Sequence, residues 1–355
     1  MKDFIKINPN ILLTEKCNLS CSYCFAKNEM AAASKKEMDL VDFEKILNFL
    51  ENNNEKEVRL MGGEPTLHSR FKEIIELVLS RNLRVMLFTN GIFSEELAFW
   101  MASKGPSIRY AFNITAAIFA SETIRTLAEQ NLKFLKKTST IYGNITIDSM
   151  RFDDTSLVDF VRDNEIDFIR LGIANNMIPN KLNSVAIQYE RVVAGMMGLI
   201  MRLKQTGASQ ISLNCGFTPC MFQPYQMEQL RNEKVKIRGW GCQGKLGTLD
   251  ISADLSAFPC FATDNLKARN ILSFTNLKKV KNFSEKIFHY QADHAVIYSG
   301  SDCRKCSYFK KQECSGPCIG YVKNNELNKQ KMEEFEKSTI FKIIKKLLYI
   351  SRNWS

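Results

Sequence analysis

Three cysteines near the start of the chain, Cys17, Cys21 and Cys24, restrict its possible folds more than any other feature of the sequence. They lie in the stretch CNLSCSYC, and the next cysteine along the chain is Cys215. Three thiolates this close together can ligate one metal centre, but a zinc site normally takes four protein ligands, and no histidine or fourth cysteine lies nearby. Each iron of a four-iron cubane needs a ligand, so three cysteines leave one iron open to a group that is not protein.

A second motif, GGEP, occupies residues 62–65 and follows a strand-like segment at residues 57–61. Gly62 and Gly63 allow a ligand to approach the backbone closely, because glycine has no side chain. As an isolated tetrapeptide the motif indicates only a turn. After a strand, and at this distance from the three cysteines, it indicates a ligand-binding loop.

Apolar segments of strand length alternate with segments of helical periodicity through the first 205 residues. Such alternation is typical of parallel βαβ units, which place their site residues at the carboxyl ends of the strands. The periodicity alone allows either a barrel or an open, doubly wound sheet. The predicted strands are 10–14, 57–61, 84–89, 108–115, 144–150 and 167–174, and the predicted helices are 39–52, 70–80, 94–103, 121–137, 155–164 and 185–205.

The C-x3-C-x2-C loop together with GGEP resembles the radical S-adenosylmethionine (SAM) superfamily. This resemblance implies an α/β fold, a partial (β/α)6 TIM-like barrel, with a 4Fe–4S cluster on the three cysteines. In the superfamily the amino and carboxylate groups of SAM chelate the open iron. The GGEP loop, through its backbone and an acid, holds the SAM amino group, and an aromatic ring before the third cysteine lies near adenine. The SAM-binding residues implied in these two motifs are Tyr23, Gly62, Gly63, Glu64 and Pro65.

Weaker matches to the superfamily occur at the ends of later strands. Asn113, in AFNIT, occupies the place where a fourth-strand Ser or Asn meets the ribose of SAM. Leu171 and Gly172, in RLGIA, occupy the place where the sixth strand packs on adenine. Thr89 and Asn90, at the end of the third strand, are candidate supports for the site. Taken alone, each of these residues could be an ordinary residue of the barrel.

The character of the sequence changes after residue 205, where helical periodicity weakens and eight of the 11 cysteines follow between positions 215 and 318. We therefore expect a core at 1–205, a bridging region at 206–235 and a cysteine-rich domain at 236–325. An amphipathic C-terminal helix is expected at 326–355. This helix is expected to pack on the body of the protein, and the binding of a partner is the alternative.

The cysteine-rich part resembles the SPASM extension, which carries two auxiliary 4Fe–4S clusters in many radical SAM enzymes that modify peptides or proteins. The sequence departs from that pattern, because Leu255 replaces a usual glycine, the gap between Cys306 and Cys314 is long, and no cysteine follows Cys318. The second auxiliary cluster therefore lacks one of its usual ligands, and either a ligand other than cysteine or a cysteine from elsewhere in the chain takes that position. The resemblance assigns Cys242, Cys260 and Cys318 to the first auxiliary cluster and Cys303, Cys306 and Cys314 to the second.

Cys215 and Cys220, in NCGFTPCMF, are the candidates to complete these ligand sets. The cysteines from Cys242 to Cys318 are too few to fill every ligand position of two cubanes. Alternatively, Cys215 or Cys220 is a catalytic thiol that delivers a hydrogen atom or a proton near the substrate. A third possibility is a pair of buried structural thiols.

The resemblance also implies a reaction. A reduced cluster passes one electron to SAM, and the resulting 5′-deoxyadenosyl radical takes a hydrogen atom from a substrate C–H bond. The implied substrate is a peptide or protein that receives a thioether or C–C cross-link, as in the maturation of ribosomally made peptides (RiPPs). A flavodoxin or ferredoxin is the expected reductant. Because the cysteine loop begins at residue 17, either a separate protein recognises the substrate or the chain binds it directly.

Alternative substrates remain open at the level of sequence. A small-molecule reaction and an oxidase activity similar to that of sulfatase maturases are both compatible with the motifs. Sulfatase maturases typically carry an Asp directly after the second cysteine of the extension, whereas Phe261 follows Cys260 here. This difference lowers the support for the sulfatase-maturase reading.

The formal charge of +11 and the pI of about 9.0 raise a distant alternative, a zinc-stabilised nucleic-acid-binding protein. That alternative gives GGEP no role, and the cysteines from Cys303 to Cys318 are too closely spaced for the usual zinc ribbon. Cluster thiolates lower the positive charge, so we expect no nucleic-acid partner. The polar N-terminal stretch and the lack of a long apolar run predict a soluble, cytoplasmic protein without membrane contact.

Overall fold

The computed structural model describes only part of the chain. Predictions for the helix at 326–355 and for Cys215, Cys242 and Cys318 lie outside the described residues, as do the side chains of 185–191. The described residues are 9–24, 26, 30, 35–118, 120–147, 155–174, 185–214, 216–237, 240, 249–258, 260, 270–283, 303 and 305–316.

One sheet of parallel strands, with a short antiparallel addition at one edge, organises this part of the chain. Its strand order is β10-β9-β1-β2-β3-β4-β5-β6-β7-β8, and β10 pairs in antiparallel fashion with β9 while every other pairing is parallel. The strands are β1 Asn10–Leu12, β2 Glu57–Met61, β3 Arg84–Thr89, β4 Ile108–Asn113, β5 Ile141–Ile147, β6 Phe168–Ile173, β7 Gln210–Leu213, β8 Lys236–Ile237, β9 Asp250–Ile251 and β10 Ala257–Phe258.

Helices connect the parallel strands and cover the outer face of the sheet. The first of them buries Phe43, Ile46, Leu47 and Leu50, which lie on one side of a helix at the three- and four-residue spacing of an amphipathic stripe. The α-helices are α1 Leu40–Asn52, α2 Phe71–Ser80, α3 Glu95–Ala102, α4 Ile114–Ile118, α5 Glu122–Lys136, α6 Thr155–Asp163, α7 Val185–Gln205, α8 Pro224–Asn232 and α9 Ser307–Lys310. The predicted fold class, a partial (β/α)6 barrel, is confirmed.

Burial alternates along the central strands and separates an outer from an inner face. In β6 the side chains of Ile169, Leu171 and Ile173 are buried in the hydrophobic core, whereas Arg170 and Gly172 are half-buried. Strand β5 shows the same alternation along its length. Since successive side chains of a strand point to opposite faces, the half-buried residues line the interior of the incomplete barrel. This interior is the space available to a ligand.

Two local differences from the predicted elements affect the site. The fourth strand was predicted to run to residue 115, but β4 ends at Asn113 and α4 begins at Ile114. The Asn113 side chain accepts a hydrogen bond from the backbone N–H of Ala116 at 3.2 Å, which is a helix-capping contact that ends the strand. In addition, the sheet continues past the sixth strand, because β7 and α8 form within the region expected to be a bridge.

The C-terminal half of the chain joins the sheet beside its first strand. β9 pairs with β1 in parallel, and the Asn10 side chain donates a hydrogen bond to the Asp250 carboxylate at 2.6 Å. β9 therefore lies next to the strand that leads into the first three cysteines. Within the described part of the chain, no helix combines the length and the apolar character that a membrane span requires.

Candidate active site

The three N-terminal cysteines lie in the loop that follows β1. We call residues 14–24 the cluster loop. Cys24 donates its backbone N–H to the carbonyl of Cys21 at 3.2 Å, and the N–H of Leu19 donates to the sulfur of Cys17 at 3.5 Å. Partial loss of solvent around the sulfur raises the pKa of the Cys17 thiol although the residue as a whole is exposed; the bond from Leu19 opposes this rise, and the charges of Glu64, Cys21 and Cys24 add to it. The loop thus gathers three thiols within range of one another's charges.

This arrangement fits a four-iron cubane better than a single metal ion. Among the residues that the structure describes, no three Cys, His, Asp or Glu side chains converge closely enough to hold one ion. In a cubane each thiolate binds a different iron, so the three sulfurs do not need to meet at one point. Cys17 is exposed, and Cys21 and Cys24 are half-buried, so the thiols are accessible to a cofactor.

The two glycines of GGEP pack against the cluster loop itself. The N–H of Gly63 donates to the carbonyl of Thr14 at 2.8 Å, and the N–H of Glu64 donates to the carbonyl of Lys16 at 2.8 Å. A Cβ atom would lie 2.3 Å from the Thr14 oxygen at Gly62 and 2.2 Å from the Lys16 oxygen at Gly63. The sequence predicts that these two glycines allow a ligand to approach the backbone. In the structure the backbone that approaches them is that of the cluster loop.

The Glu64 carboxylate is fully buried and connects the GGEP loop to the end of β3 through hydrogen bonds. One oxygen accepts hydrogen bonds from the Thr66 N–H at 3.2 Å, the Thr66 hydroxyl at 2.8 Å and the Thr89 hydroxyl at 2.9 Å. The other oxygen accepts one from the Asn90 N–H at 2.8 Å. Burial raises the pKa of this carboxyl, and these hydrogen bonds oppose the rise. This placement differs from the predicted direct contact with the SAM amino group, because the side chain has no exposed surface.

Two asparagines without a predicted role, Asn18 and Asn131, stabilise the segment that follows β3, and Asn18 connects it to the cluster loop. The Asn18 side-chain NH2 donates to the carbonyl of Ile92 at 2.8 Å, and its oxygen accepts a hydrogen bond from the Asn90 side chain at 2.8 Å. Asn131, in α5, donates to the carbonyls of Gly91 and Phe93 at 2.9 and 2.8 Å. Asn90, predicted only as a support, therefore links the Glu64 carboxylate to the loop between Cys17 and Cys21.

Tyr23 and Asn113, two residues predicted to contact SAM from distant parts of the chain, meet in the structure. The Tyr23 hydroxyl donates to the Asn113 side-chain oxygen at 3.2 Å. That oxygen also caps α4, so the Asn113 NH2 group is the part of the side chain left to meet a ligand. The contact brings the cluster loop over the carboxyl end of β4.

Leu171 and Gly172 lie on opposite faces of β6. Leu171 is completely buried in the hydrophobic core, on the outer face of the sheet, which differs from its predicted contact with adenine. Gly172 lies on the interior face in register with Thr146 of β5, and a Cβ atom at this position would have no neighbour within 4 Å. Only Gly172 is therefore positioned to pack against a bound group.

The remaining residues of the GGEP segment have structural roles. Pro65 is buried and begins a short 3-10 helix at Pro65–Leu67. His68 is also buried, and its ring nitrogens contact the carbonyl of Met38 at 2.8 Å and the N–H of Arg70 at 3.0 Å. Both residues fix the path of the chain after the loop.

Two rows of side chains line the barrel interior. The deeper row is aromatic, with the rings of Tyr142 and Phe168 5.3 Å apart and the Arg109 guanidinium 6.0 Å from the Tyr142 ring. The row nearer the carboxyl ends of the strands is polar, because the strand register aligns four interior residues across neighbouring strands. These residues are Asn113, Asn144, Arg170 and Ser212.

A second group of thiols lies in the C-terminal half. Cys260 follows β10 and is half-buried, as are Cys303 and Cys306, whereas Cys314 is buried and Cys220 is exposed. The pKa of Cys314 is raised to about 11, first by burial and then by the charges of Cys220, Cys303 and Cys306. The three cysteines assigned to one auxiliary cluster thus lie close together, and Cys220 lies near them.

Comparison with protein families and curated proteins adds two findings. The model of the family described as "Radical SAM superfamily" matches residues 11–117, which include the cluster loop, GGEP and Asn113. The 7-carboxy-7-deazaguanine synthase of Clostridium acetobutylicum is 28% identical over 191 residues, which cover 46% of this chain and 85% of that protein. Other curated relatives match a shorter stretch, and the chain spans about a third of the length of two of them.

Comparison with solved structures extends the likeness over most of the chain. The crystal structure of Streptococcus suis SuiB bound to S-adenosylmethionine has a TM-score of 0.60 at 16% identity and covers 90% of this chain and 75% of that one. The structure of anSMEcpe with bound AdoMet has a TM-score of 0.58 at 15% identity and covers 96% of this chain and 98% of that one. At these identities the likeness concerns the fold.

Proposed function

This chain belongs to the radical SAM superfamily, and we propose from this membership that it cleaves SAM reductively and uses the radical to modify a peptide or protein. The supporting observation is the assembly of the cluster loop, the GGEP loop and β4 at one edge of the sheet. Two backbone hydrogen bonds join the first two, and the bond between Tyr23 and Asn113 joins the third. The cofactors, a 4Fe–4S cluster and SAM, supply the chemistry, which is one-electron cleavage of SAM and hydrogen-atom abstraction by the 5′-deoxyadenosyl radical.

The chain's own residues hold and orient these groups. Cys17, Cys21 and Cys24 would hold the cluster through their thiolates, which are accessible from outside the loop. Gly62 and Gly63 hold the cluster loop in place through close backbone packing. Tyr23 and the Asn113 amide lie where the nucleoside part of SAM would be held, and Gly172 leaves room for it on the neighbouring strand face.

The substrate is proposed to enter the barrel interior beside this site. The polar row there contains the half-buried amide of Asn144 and the half-buried guanidinium of Arg170, which can hydrogen-bond to a polar chain, whereas Ser212 is buried and donates to the Ile169 carbonyl. The deeper aromatic row closes the interior from below and keeps water away from the reacting carbon. These residues are the first candidates for substrate orientation.

A peptide substrate is favoured by the extent of the structural likeness. SuiB has also been crystallised bound to its precursor peptide SuiA, and that structure covers 90% of this chain with a TM-score of 0.57. The likeness extends beyond the barrel into the cysteine-rich half, which we propose to be a SPASM-type domain with auxiliary clusters. In this proposal residues 1–205 form the catalytic core, 206–235 connect it to the extension at 236–325, and a flavodoxin or ferredoxin supplies electrons.

A small-molecule reaction is the second candidate, supported by the sequence similarity to 7-carboxy-7-deazaguanine synthase. That similarity covers 46% of the chain, so it leaves the C-terminal half without a counterpart. One assay distinguishes peptide modification from a small-molecule reaction. Anaerobic, reduced protein is incubated with SAM and synthetic peptides encoded beside its gene, and a mass decrease corresponding to lost hydrogen supports peptide modification.

The site assignment is tested by a triple variant, Cys17→Ala, Cys21→Ala and Cys24→Ala. It should lose about four irons per chain and form no 5′-deoxyadenosine, because the cluster with the open iron is gone. The matched control is the double variant Ser20→Ala and Ser22→Ala, which changes the same loop but keeps the thiols and should keep its iron. SAM cleavage by the triple variant would show that the assignment is wrong, and a colourless protein that binds zinc would support the nucleic-acid-binding alternative.

A further inference from the structure

Cys220 lies in the segment that connects the seventh strand to the helix after it. It is the middle residue of a short 3-10 helix, Pro219–Met221, between β7 and α8. Its side chain is exposed, and its sulfur lies 3.2 Å from the Thr218 hydroxyl. In contrast to its neighbours Pro219 and Met221, which are buried, Cys220 is accessible to a group outside the sheet.

Aromatic packing joins this segment to the C-terminal cysteines. The ring of Phe222, two residues after Cys220, lies 5.6 Å from the ring of Trp240. The backbone of Trp240 forms a parallel bridge with Cys314, and its carbonyl accepts a hydrogen bond from the Ser315 N–H at 3.1 Å. The segment of Cys220 and the backbone of Cys314 thus both pack against Trp240, although the two cysteines are far apart in sequence.

Local hydrogen bonds bring two further thiols to the same place. The Cys306 N–H donates to the carbonyl of Cys303 at 3.0 Å, and Cys306 is the residue that precedes α9. The Cys314 N–H donates to the carbonyl of Tyr308 at 3.2 Å, so the chain returns after α9 towards Cys306. These backbone hydrogen bonds hold Cys303, Cys306 and Cys314 within one short segment.

We infer that Cys220 supplies the fourth ligand of an iron–sulfur cluster whose other three ligands are Cys303, Cys306 and Cys314. This inference rests on the proposed function, which gives the C-terminal cysteines to auxiliary clusters. Residues 319–355 contain no cysteine, and Cys220 would contribute its thiolate from the connection between β7 and α8. The cluster would therefore tie the β7–α8 connection to the cysteine-rich half.

The four thiols fit a cubane rather than a zinc ion. A structural zinc site draws its four ligands onto one ion in a tetrahedron. Within the described residues, no three side chains of the ligating types are arranged in this way. Four thiolates around a cubane bind four different irons and remain further apart, so a cubane does not require the four sulfurs to meet at one ion.

The test uses a chain that lacks the SAM cluster, with Cys17, Cys21 and Cys24 all replaced by Ala, so that the remaining iron reports on the C-terminal half. On this background Cys220→Ala should lower the iron content by about four per chain or convert the cluster to a three-iron form visible in the EPR spectrum. Cys220→Ser should retain more iron with an altered spectrum, because an alkoxide oxygen can replace the thiolate. The matched control is Met221→Leu, a volume-conserving change at the next residue of the same 3-10 helix, and it should keep iron and spectrum unchanged.

Unchanged iron content and an unchanged spectrum in both Cys220 variants would overturn the inference. So would a Cys220→Ala chain that keeps its clusters and loses only product formation, since this result would identify a catalytic thiol. A loss of iron accompanied by general unfolding is recognised from the melting temperature, and the Cys220→Ser variant then decides between ligand and structural roles. The proposed function is tested separately, because SAM cleavage by the triple cysteine variant would contradict it whatever happens at Cys220.

Discussion

The cluster loop and the C-terminal cysteine segment, residues 303–316, both gather thiols, but the protein builds them in different ways. The cluster loop is held by hydrogen bonds to the GGEP loop and by glycines packed directly against its backbone. A buried carboxylate joins GGEP to β3. In the cysteine segment the only described helix is α9, which has four residues and none of them buried. Its described attachment to neighbouring structure runs through Cys314 and Ser315, which contact the Trp240 backbone.

From this difference we expect one of the two regions to be structured without metal and the other to depend on it. The cluster loop has its geometry set by the sheet, so iron binds to an arrangement that the fold already provides. The described residues of the cysteine segment bury little apolar surface, and under the proposed auxiliary cluster we expect its structure to depend on metal–thiolate bonds, whose binding free energy becomes folding free energy. Electron transfer to SAM needs a fixed geometry, and the first site meets that need without the metal.

Removal of iron should therefore affect the two regions very differently, and this is the largest effect that we expect. In the chelated protein, amides of residues 303–316 should exchange hydrogen at rates near those of an unfolded chain, because no metal–thiolate bonds hold this segment in place. Amides of β2 and β3 should keep their protection. Hydrogen-exchange mass spectrometry of loaded and chelated protein measures both regions in one experiment. Equal loss of protection in both regions would remove the distinction.

Gly63→Ala should damage the cluster loop directly. The added Cβ would lie 2.2 Å from the Lys16 carbonyl oxygen, so the two loops must separate. We expect a loss of about 3 kcal/mol in unfolding free energy, together with loss of the SAM cluster, measured by denaturant unfolding and iron content.

The control for this prediction is Gly172→Ala, where the added Cβ meets no atom within 4 Å. Its stability should change little, and its affinity for SAM should fall if Gly172 borders the bound nucleoside. A stable Gly63→Ala variant with full iron content would contradict the close packing between the two loops.

Glu64→Gln should have a smaller effect on the same region. The carboxylate accepts hydrogen bonds on both oxygens, so the NH2 group of Gln must face at least one donor in either orientation. We expect a loss of about 1–3 kcal/mol in unfolding free energy even without SAM, from the donor left unsatisfied. Thermal unfolding of the SAM-free protein measures this loss. Weaker SAM binding with unchanged stability would instead indicate direct contact between Glu64 and the SAM amino group.

The strands and helices of the barrel, and the loops that carry the two motifs, could be predicted from the sequence because they depend on short-range patterns. The spacing of Cys17, Cys21 and Cys24 places them on one loop, and GGEP follows a strand whose periodicity is clear. The alternation of Ile169, Leu171 and Ile173 along β6 indicates that Leu171 faces the core. The resemblance to the superfamily instead assigns Leu171 to adenine, and the structure agrees with the alternation.

Other features depend on contacts between distant segments and could not be predicted from local patterns. The inward orientation of the Glu64 carboxylate requires donors from Thr89 and Asn90, which a separate βα unit supplies. The position of Cys220 beside Cys314 depends on the packing of Phe222 on Trp240, and no periodicity in the sequence reports it. Cysteine counting identified Cys215 and Cys220 as candidates without separating them.

The central claim is that SAM binds the open iron of the cluster on Cys17, Cys21 and Cys24. It is tested most directly by electron–nuclear double resonance on the reduced protein with SAM whose amino nitrogen is isotopically labelled. The account predicts hyperfine coupling between the labelled nitrogen and the cluster, and its absence in the triple Cys→Ala variant, which keeps the C-terminal cysteines. Bound SAM without any such coupling, or coupling that persists in the triple variant, would contradict the claim.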